Sequence, residues 1–538
     1  MIKQLILDGN SLTINTLVKT GRDSSVRVAI KEENWQKITE CRELCERFAK
    51  EERVIYGVNT SCGGLVDHLL PQNVVREFQQ NLIKSVTTQV GEFLPDEIVR
   101  MAMIARCNAL CRGYSGIKPT NLKIYIEMIN KNIFPCIPKQ GSLGASGDLG
   151  PLGCIACVAI GEWKARYKGK IMPGREAMDL AGIPLMVLDS KEGLSLINGT
   201  SCMAALASSV IFDAINTVFN TDIISALSVE TLMGRINPFD LRVHDKKYHP
   251  GQYATAYNMM ALLNDSLLTI DEQKLSQTLS SVLKGNSDVI INDIPLEDAY
   301  SLRCIPQVIG PVRESLEFTQ NILERELNSS NDNPLLFTEY ETFIHNGHFH
   351  GQYISLAMDF VAIAITTVSV ISDRRVDRFM DKNSSVGLPP FLCKERTGIR
   401  MGLMGGQFMT SSLVAENRTL VIPASVQSIS STANFQDVVS FGLIAARKAR
   451  SIIDNTNYVL AFELMCAAQA ADIRGTKKLS SAGKILHKEV RKIVPYLNRD
   501  EVIIDYLEAL HNEIKNGTFV EAVETAVGKL QFTHSRTA

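Results

Sequence analysis

Two long runs leave this chain few folds to choose from. From Met203 to Met233, and again from Gln352 to Arg378, the residues are apolar with Ala, Ser and Thr interspersed, so helices built from them are apolar all round and let neighbours approach closely. Such helices are stable inside a bundle. Within the second run, Ile354 to Ile371 (ISLAMDFVAIAITTVSVI) has the length of a membrane span, but Asp359, Thr366, Thr367 and Ser369 interrupt it and favour a buried bundle helix. No β-α alternation and no internal repeat accompanies these runs, and strand-like stretches are short and few. The predicted fold is mainly α. Residues 201–475 form a long central helix bundle, a smaller N-terminal part occupies residues 1–200, and a charged helical tail occupies residues 476–538.

Charge narrows the partners. Lys plus Arg number 56 against 58 Asp plus Glu, a net charge of −2, which argues against nucleic acid or a charged membrane surface. Twelve cysteines are scattered without a regular framework and read as reduced core thiols. The N-terminus, MIKQLILDGNSLT, has one basic residue and an apolar stretch broken by Asp8, too short for a secretory signal. A cytoplasmic protein is expected.

In chain order, LILDG reads as a short strand and Glu32 to Lys50 as a helix. Residues 53–58 are β-prone, and NTSCGG after them is a flexible loop with Tyr56 at its start. Val74 to Val90 has a helical period, residues 100–135 contain further amphipathic helix, and PCIPKQ breaks it. An apolar helix follows Pro151, then a hairpin or loop over ARYKGKIMPGREAM. Residues 383–407, rich in Gly and Pro, read as loop and helix termini, and an exposed end begins at Thr533.

Between the break and that apolar helix lies GSLGASGDLGPLG, Gly141 to Gly153. It has neither the Gly-x-Gly spacing of a dinucleotide turn nor the Gly-Lys-Ser/Thr of a nucleotide loop. Three small residues, Ala145, Ser146 and Gly147, stand together at its centre. In a tight bend the Gly147 amide nitrogen can reach the Ala145 carbonyl carbon, because glycine places no Cβ in the way. Ring closure with loss of two waters, one of them from Ser146, leaves a five-membered ring bearing an electrophilic methylene.

This run closely resembles the self-cyclised segment of the aromatic amino-acid ammonia-lyases and 2,3-aminomutases, whose prosthetic group is 4-methylideneimidazol-5-one. The resemblance extends from LILDGNSLT to about Gln469. It implies that Ala145, Ser146 and Gly147 form that ring, that no metal is used, and that the enzyme is a homotetramer whose active sites draw on several subunits. In the matching Tyr-Gly-Val-Asn-Thr motif, Tyr56 is implied as the catalytic base, with Gly63 on the substrate side. Tyr300 joins the catalytic set, and Arg303, one helical turn on, holds the substrate carboxylate together with Asn333. Asn198 and Gln307 steady the ring; Leu149, Phe349, Gln436 and the selector pair Ser85 and Val86 line the substrate. The three histidines of HNGHFHGQY have spacings unlike the His-x-x-x-His of common zinc sites.

The mechanism implied is removal of a β-proton by Tyr56, whose phenol must be lowered from its ordinary pKa near about 10, with helix N-termini as a source of positive potential. A lyase releases ammonia and the arylacrylate, whereas a mutase retains both and returns the amine to the β-carbon. Typical lyases of the family carry Gly-Phe-Gly where this chain has Ser-Cys-Gly-Gly, a string similar to that of bacterial aminomutases making β-phenylalanine for peptide antibiotics. Histidine-specific relatives have a histidine in the selector pair and Glu at the position of Gln436. The expected activity is conversion of L-phenylalanine to β-phenylalanine through bound cinnamate. A tyrosine 2,3-aminomutase and a phenylalanine or tyrosine ammonia-lyase remain alternatives, and a helical scaffold that never cyclises is the non-enzymatic one.

Overall fold

The computed structural model describes residues 3–284, 287–291 and 296–534. Among these the chain is mainly α, as expected: the strands are at most four residues long and form sheets of two or three. The longest helices are Ser201–Thr231, Ile305–Leu327, Gln352–Met380 and Gly442–Arg474. Two helical stretches, Glu192–Thr231 and Gln352–Met380, are long and apolar enough to cross a membrane by length and composition. In them 78% and 72% of the most apolar window is buried inside the protein.

Contacts divide the chain into two units. One comprises Met1–Phe212, Thr319–Asp359 and Pro423–Lys448; the other comprises Asp213–Phe318, Phe360–Ile422 and Ala449–Ala538. This division cuts across the three successive stretches read from the sequence, since each of the longest helices contributes residues to both units.

In the first unit, Gln4–Leu7 pairs in parallel with Arg27–Ile30. The helix Ile14–Arg22 starts at a capping box in which Thr13 and Thr16 satisfy each other's amides. ARYKGKIMPGREAM forms a hairpin, Lys164–Tyr167 against Lys170–Pro173. Residues 53–58, β-prone in sequence, form a turn instead of a strand. Their apolar side chains Ile55 and Val58 pack into a cluster with Cys41, Leu44, Cys45 and Phe48 of the helix Glu32–Lys50, so burial is reached without a strand partner.

In the second unit, polar residues inside the apolar helices are satisfied locally. Thr366 Oγ1 donates to the Ala362 carbonyl and Ser369 Oγ to that of Thr366. Glu463, fully buried, accepts from Arg375, Ser372 and Ser228. The end expected to be exposed from Thr533 is half-buried at Thr533 and His534, because Tyr248 donates to the His534 carbonyl at 2.6 Å and Tyr253 stacks on its ring. All twelve cysteines are free and ten are buried, including Cys154 and Cys157, which stand in Cys-x-x-Cys spacing on the helix Leu149–Ala159.

Candidate active site

The loop around Ala145–Gly147 leads into the helix Leu149–Ala159 and is held from several sides, all within the first unit. Asp148, fully buried, accepts from the amides of Cys202 (2.6 Å) and Met203 (3.0 Å) at the start of the helix Ser201–Thr231. Ser146 Oγ donates to the Gly199 carbonyl at 2.7 Å. The Ala145 amide donates to Gln436 Oε1 at 2.9 Å, while the Ala145 carbonyl accepts from the Gly351 amide at 3.0 Å and Ser440 Oγ at 3.4 Å. Gly147 has a φ of +73°, and a Cβ there would lie 2.5 Å from Met203 Cε. Only glycine fits. A bend closed to side chains, next to a carbonyl polarised by two donors, is what attack by the Gly147 nitrogen on Ala145 requires.

This loop opens on a cavity of about 700 Å³. Tyr56, Gly63, Ser85, Val86, Ala145, Ser146, Leu149, Asn198, Asn333, Phe349 and Gln436 all line it, so the fold brings together most residues the sequence singled out. Gly147, Tyr300, Arg303 and Gln307 are not among the lining residues. Gly147 lies in the loop itself.

Tyr56 is anchored by its neighbours Ile55 and Val58 in the cluster already described. Its hydroxyl accepts from the Gly63 amide at 2.9 Å and hydrogen-bonds the Cys62 thiol. Its backbone amide donates to His345 Nε2 at 3.2 Å. Contrary to the lowering expected, burial pushes the Tyr56 phenol above its ordinary value, with Cys62 adding to the rise. The Gly63 amide acts the other way but is outweighed, and no Lys or Arg is among the lining residues. Burial likewise pushes the Cys62 thiol up to about 12.

Among the amide side chains of the lining, those of Asn198 and Asn333 are each oriented by a hydrogen bond. Asn198 Nδ2 donates to Asp332 Oδ1 at 3.2 Å, which turns its Oδ1 away from Asp332. Asn333 Oδ1 accepts from the Asn346 amide at 2.7 Å, which leaves Nδ2 as its unused donor. The lining also has apolar residues: Val86 at the end of the helix Val75–Val86, Leu82 one turn before it, and Leu149, Leu194 and Ile197.

The family model described as aromatic amino acid lyase matches residues 12–492. The chain belongs to that family. It is therefore an enzyme of a family of ammonia-lyases and aminomutases. Its sequence is 40% identical to a histidine ammonia-lyase of Alkaliphilus oremlandii over 98% of this chain and 99% of that protein. It is 39% identical to an MIO-dependent tyrosine 2,3-aminomutase of Streptomyces globisporus over 96% of each. The solved structure of Pantoea agglomerans phenylalanine aminomutase superposes with a TM-score of 0.92 at 45% identity, covering 95% of this chain and 98% of that one.

Tyr300, Arg303 and Gln307 lie in the second unit. Tyr300 and Arg303 occupy a single helical turn, Tyr300–Arg303, and the guanidinium stacks 5.0 Å from the phenol ring centre. Arg303 pairs with Glu297 at 2.9 Å. Tyr300 is 71% exposed, while the buried atoms Arg303 Nε and Gln307 Oε1 have no hydrogen-bond partner.

Sequence reasoning missed several lining residues, notably Cys62, Leu82, Leu194, Ile197, His345 and Thr432. Leu82 was within reach, since it stands four residues before Val86 on one helix face. Thr432 has a φ of +56° and receives Gln436 Nε2 at 3.4 Å. Loop geometry placed it there, and no periodic pattern announces that.

Proposed function

We propose that this enzyme is a phenylalanine 2,3-aminomutase, converting L-phenylalanine to β-phenylalanine through bound cinnamate. In this reading it is a cytoplasmic homotetramer of specialised metabolism, such as peptide-antibiotic assembly, and carries a 4-methylideneimidazol-5-one ring made from Ala145, Ser146 and Gly147. The ring supplies an electrophilic carbon to which an amine can add, making that amine a better leaving group. The closed bend at Gly147 and the polarised Ala145 carbonyl support its formation.

The observation that carries the substrate is the apolar wall of Leu82, Val86, Leu149, Leu194 and Ile197. An imidazole or phenol against it would leave a buried polar group unpaired, at about 1–3 kcal/mol. That wall favours a phenyl ring over the imidazole of the histidine ammonia-lyases. Tyrosine is the second reading, because Ser85 Oγ gives its hydrogen to the Leu82 carbonyl at 2.8 Å and keeps its lone pairs for a phenol. The 45% identity to the Pantoea phenylalanine aminomutase supports a mutase.

The chain's own groups divide the work. Asn333 Nδ2 donates to the substrate carboxylate, and Phe349 and the apolar wall hold the ring of the substrate in a dry pocket. Tyr56 Oη takes the β-proton and, in the mutase direction, delivers it to the α-carbon as the amine adds to the β-carbon. Burial and the Cys62 thiol raise that phenol, and the cavity lining holds no Lys or Arg to oppose them. Arg303 of a second copy holds the substrate carboxylate together with Asn333 and brings a positive charge to the cavity, with Tyr300 beside it and Gln307 toward the ring. The unpartnered Arg303 Nε and Gln307 Oε1 support a site completed by assembly.

Chiral chromatography with mass detection of the products from L-phenylalanine, L-tyrosine and L-histidine tests the proposal. β-Phenylalanine with little cinnamate is expected. Mostly cinnamate would make the enzyme a lyase, β-tyrosine would promote the second reading, and urocanate would show that the apolar wall does not select. No product from any of the three would favour a scaffold.

A further inference from the structure

Behind the cavity, Lys191 and Asp332 form a fully buried ion pair, Nζ to Oδ2 at 2.6 Å, with side-chain exposures of 0% and 1%. Lys191 precedes the short helix Glu192–Ile197 in a left-handed conformation (φ +68°), and its Nζ also reaches Ser195 Oγ at 3.3 Å. The other Asp332 oxygen, Oδ1, accepts from Asn198 Nδ2 at 3.2 Å and from the Asn333 amide at 2.7 Å. One carboxylate thus touches both Asn198 and Asn333 of the cavity lining. A buried ion pair is seldom a net gain in stability over an apolar pair of similar volume, so stability does not explain this one.

We infer that Asp332 is a positioning residue that sets the polarity with which the cavity reads an amino acid. A carboxylate has no hydrogen to give, so Asn198 must turn its NH₂ toward Asp332 and present Oδ1 to the cavity as an acceptor for an ammonium group. Asn333, held through Asn346, presents Nδ2 as a donor for a carboxylate. Lys191 neutralises Asp332, so the orientation is imposed without leaving an uncompensated anion beside the substrate. A neutral side chain at 332 would let the Asn198 amide take either orientation. This inference rests on the cavity being the amino-acid site proposed above.

Calorimetric titration of the full-length enzyme with two half-substrates separates the roles: 2-phenylethylamine carries only the ammonium, 3-phenylpropionate only the carboxylate. D332N is expected to weaken 2-phenylethylamine at least about tenfold, about 1.4 kcal/mol, and to change 3-phenylpropionate by less than about threefold, under 1 kcal/mol. Because D332N leaves Lys191 buried and unpaired, K191M/D332N is measured beside it; it is expected to restore the melting temperature but not ammonium binding. N198D/D332N, which moves the carboxylate to the cavity side of the same hydrogen bond, should regain 2-phenylethylamine affinity. Equal weakening of both ligands, no weakening of either, or recovery of ammonium binding in K191M/D332N would overturn the assignment. If the wild type binds neither half-substrate, the reading of the cavity falls, and this inference with it.

Discussion

Asp148 in the first unit and Glu230 in the second are both buried carboxylates set against the start of a helix. Asp148 accepts from the amides of Cys202 and Met203 on the helix Ser201–Thr231. Glu230 accepts from the Ser480 amide at 2.8 Å, with Ser480 Oγ and Ser266 Oγ completing its shell, before the helix Ser481–Arg491. Burial pushes both carboxyls up, Asp148 to about 8 and Glu230 to about 7. Their neighbours in the chain differ. Asp148 follows Gly147, held at positive φ in a space closed to side chains, and the loop it anchors opens on the cavity. Glu230 lies in the last turn of the helix Ser201–Thr231, and its partners are two serines. The same interaction fixes a reactive geometry in one unit and secures packing in the other. A site is recognised by what its groups leave unpaired toward a cavity, since burial and charge alone are common to both.

The largest expected effect comes from releasing the first of these anchors. D148A leaves the loop free to relax away from the bend, and misplacement of about 1 Å costs on the order of a hundredfold in turnover. Intact-mass measurement reads the cause directly: wild-type chain should lack the mass of two waters relative to its sequence, and D148A should retain it in a large fraction of molecules. A D148A protein with complete water loss and full turnover would show that Asp148 is as purely structural as Glu230.

Breaking the densest buried network of the second unit should do the reverse. R375M leaves Glu463 unpaired among Ser228 and Ser372, a loss of about 3–5 kcal/mol in stability. The thermal midpoint should fall while turnover per folded enzyme stays unchanged, and R375M/E463Q should recover much of the midpoint. A turnover defect in the folded fraction of R375M would mean that the network acts on the site after all.

How far these differences were legible beforehand depends on the kind of signal. The bundle helices were, because a run apolar on all sides has one stable solution; Gln352–Met380 extends the expected segment by two residues. The helix Glu32–Lys50 has the bounds read from the sequence. The Ala-Ser-Gly loop stood out through its small residues and its resemblance to a self-cyclised segment, and Ala145 and Ser146 line the cavity. By contrast, the turn at Tyr56 was masked by β-prone Val54, Ile55 and Val58, and the burial of Ile55 and Val58 against a helix is a tertiary outcome. The direction of the Tyr56 pKa was also out of reach, since desolvation depends on what surrounds a side chain and leaves no trace in its neighbours along the chain. Asp332 was passed over for the same reason: between Asn331 and Asn333 it reads as one more turn residue, and only the fold brings Lys191 to it.

The smallest effect expected is a change in pH dependence at Glu230. Its carboxyl is raised from an ordinary value of 4.5 to about 7, first by burial and further by nearby Asp265, against the hydrogen bonds from Ser480 and Ser266. The folded state therefore holds a proton that the unfolded chain has already lost. The stability linked to this group is fully present below pH 4.5 and is lost as the pH rises through about 7, a change of up to about 3 kcal/mol. E230Q keeps an acceptor for the Ser480 amide and cannot ionise, so its thermal midpoint should track the wild type near pH 5 and exceed it above pH 7. Parallel midpoint curves from about pH 5 to 8 would mean that water reaches Glu230 and that the carboxylate is held as comfortably as a surface cap. Because its shell contains no group that lines the cavity, turnover per folded enzyme should follow the same pH curve in E230Q and wild type.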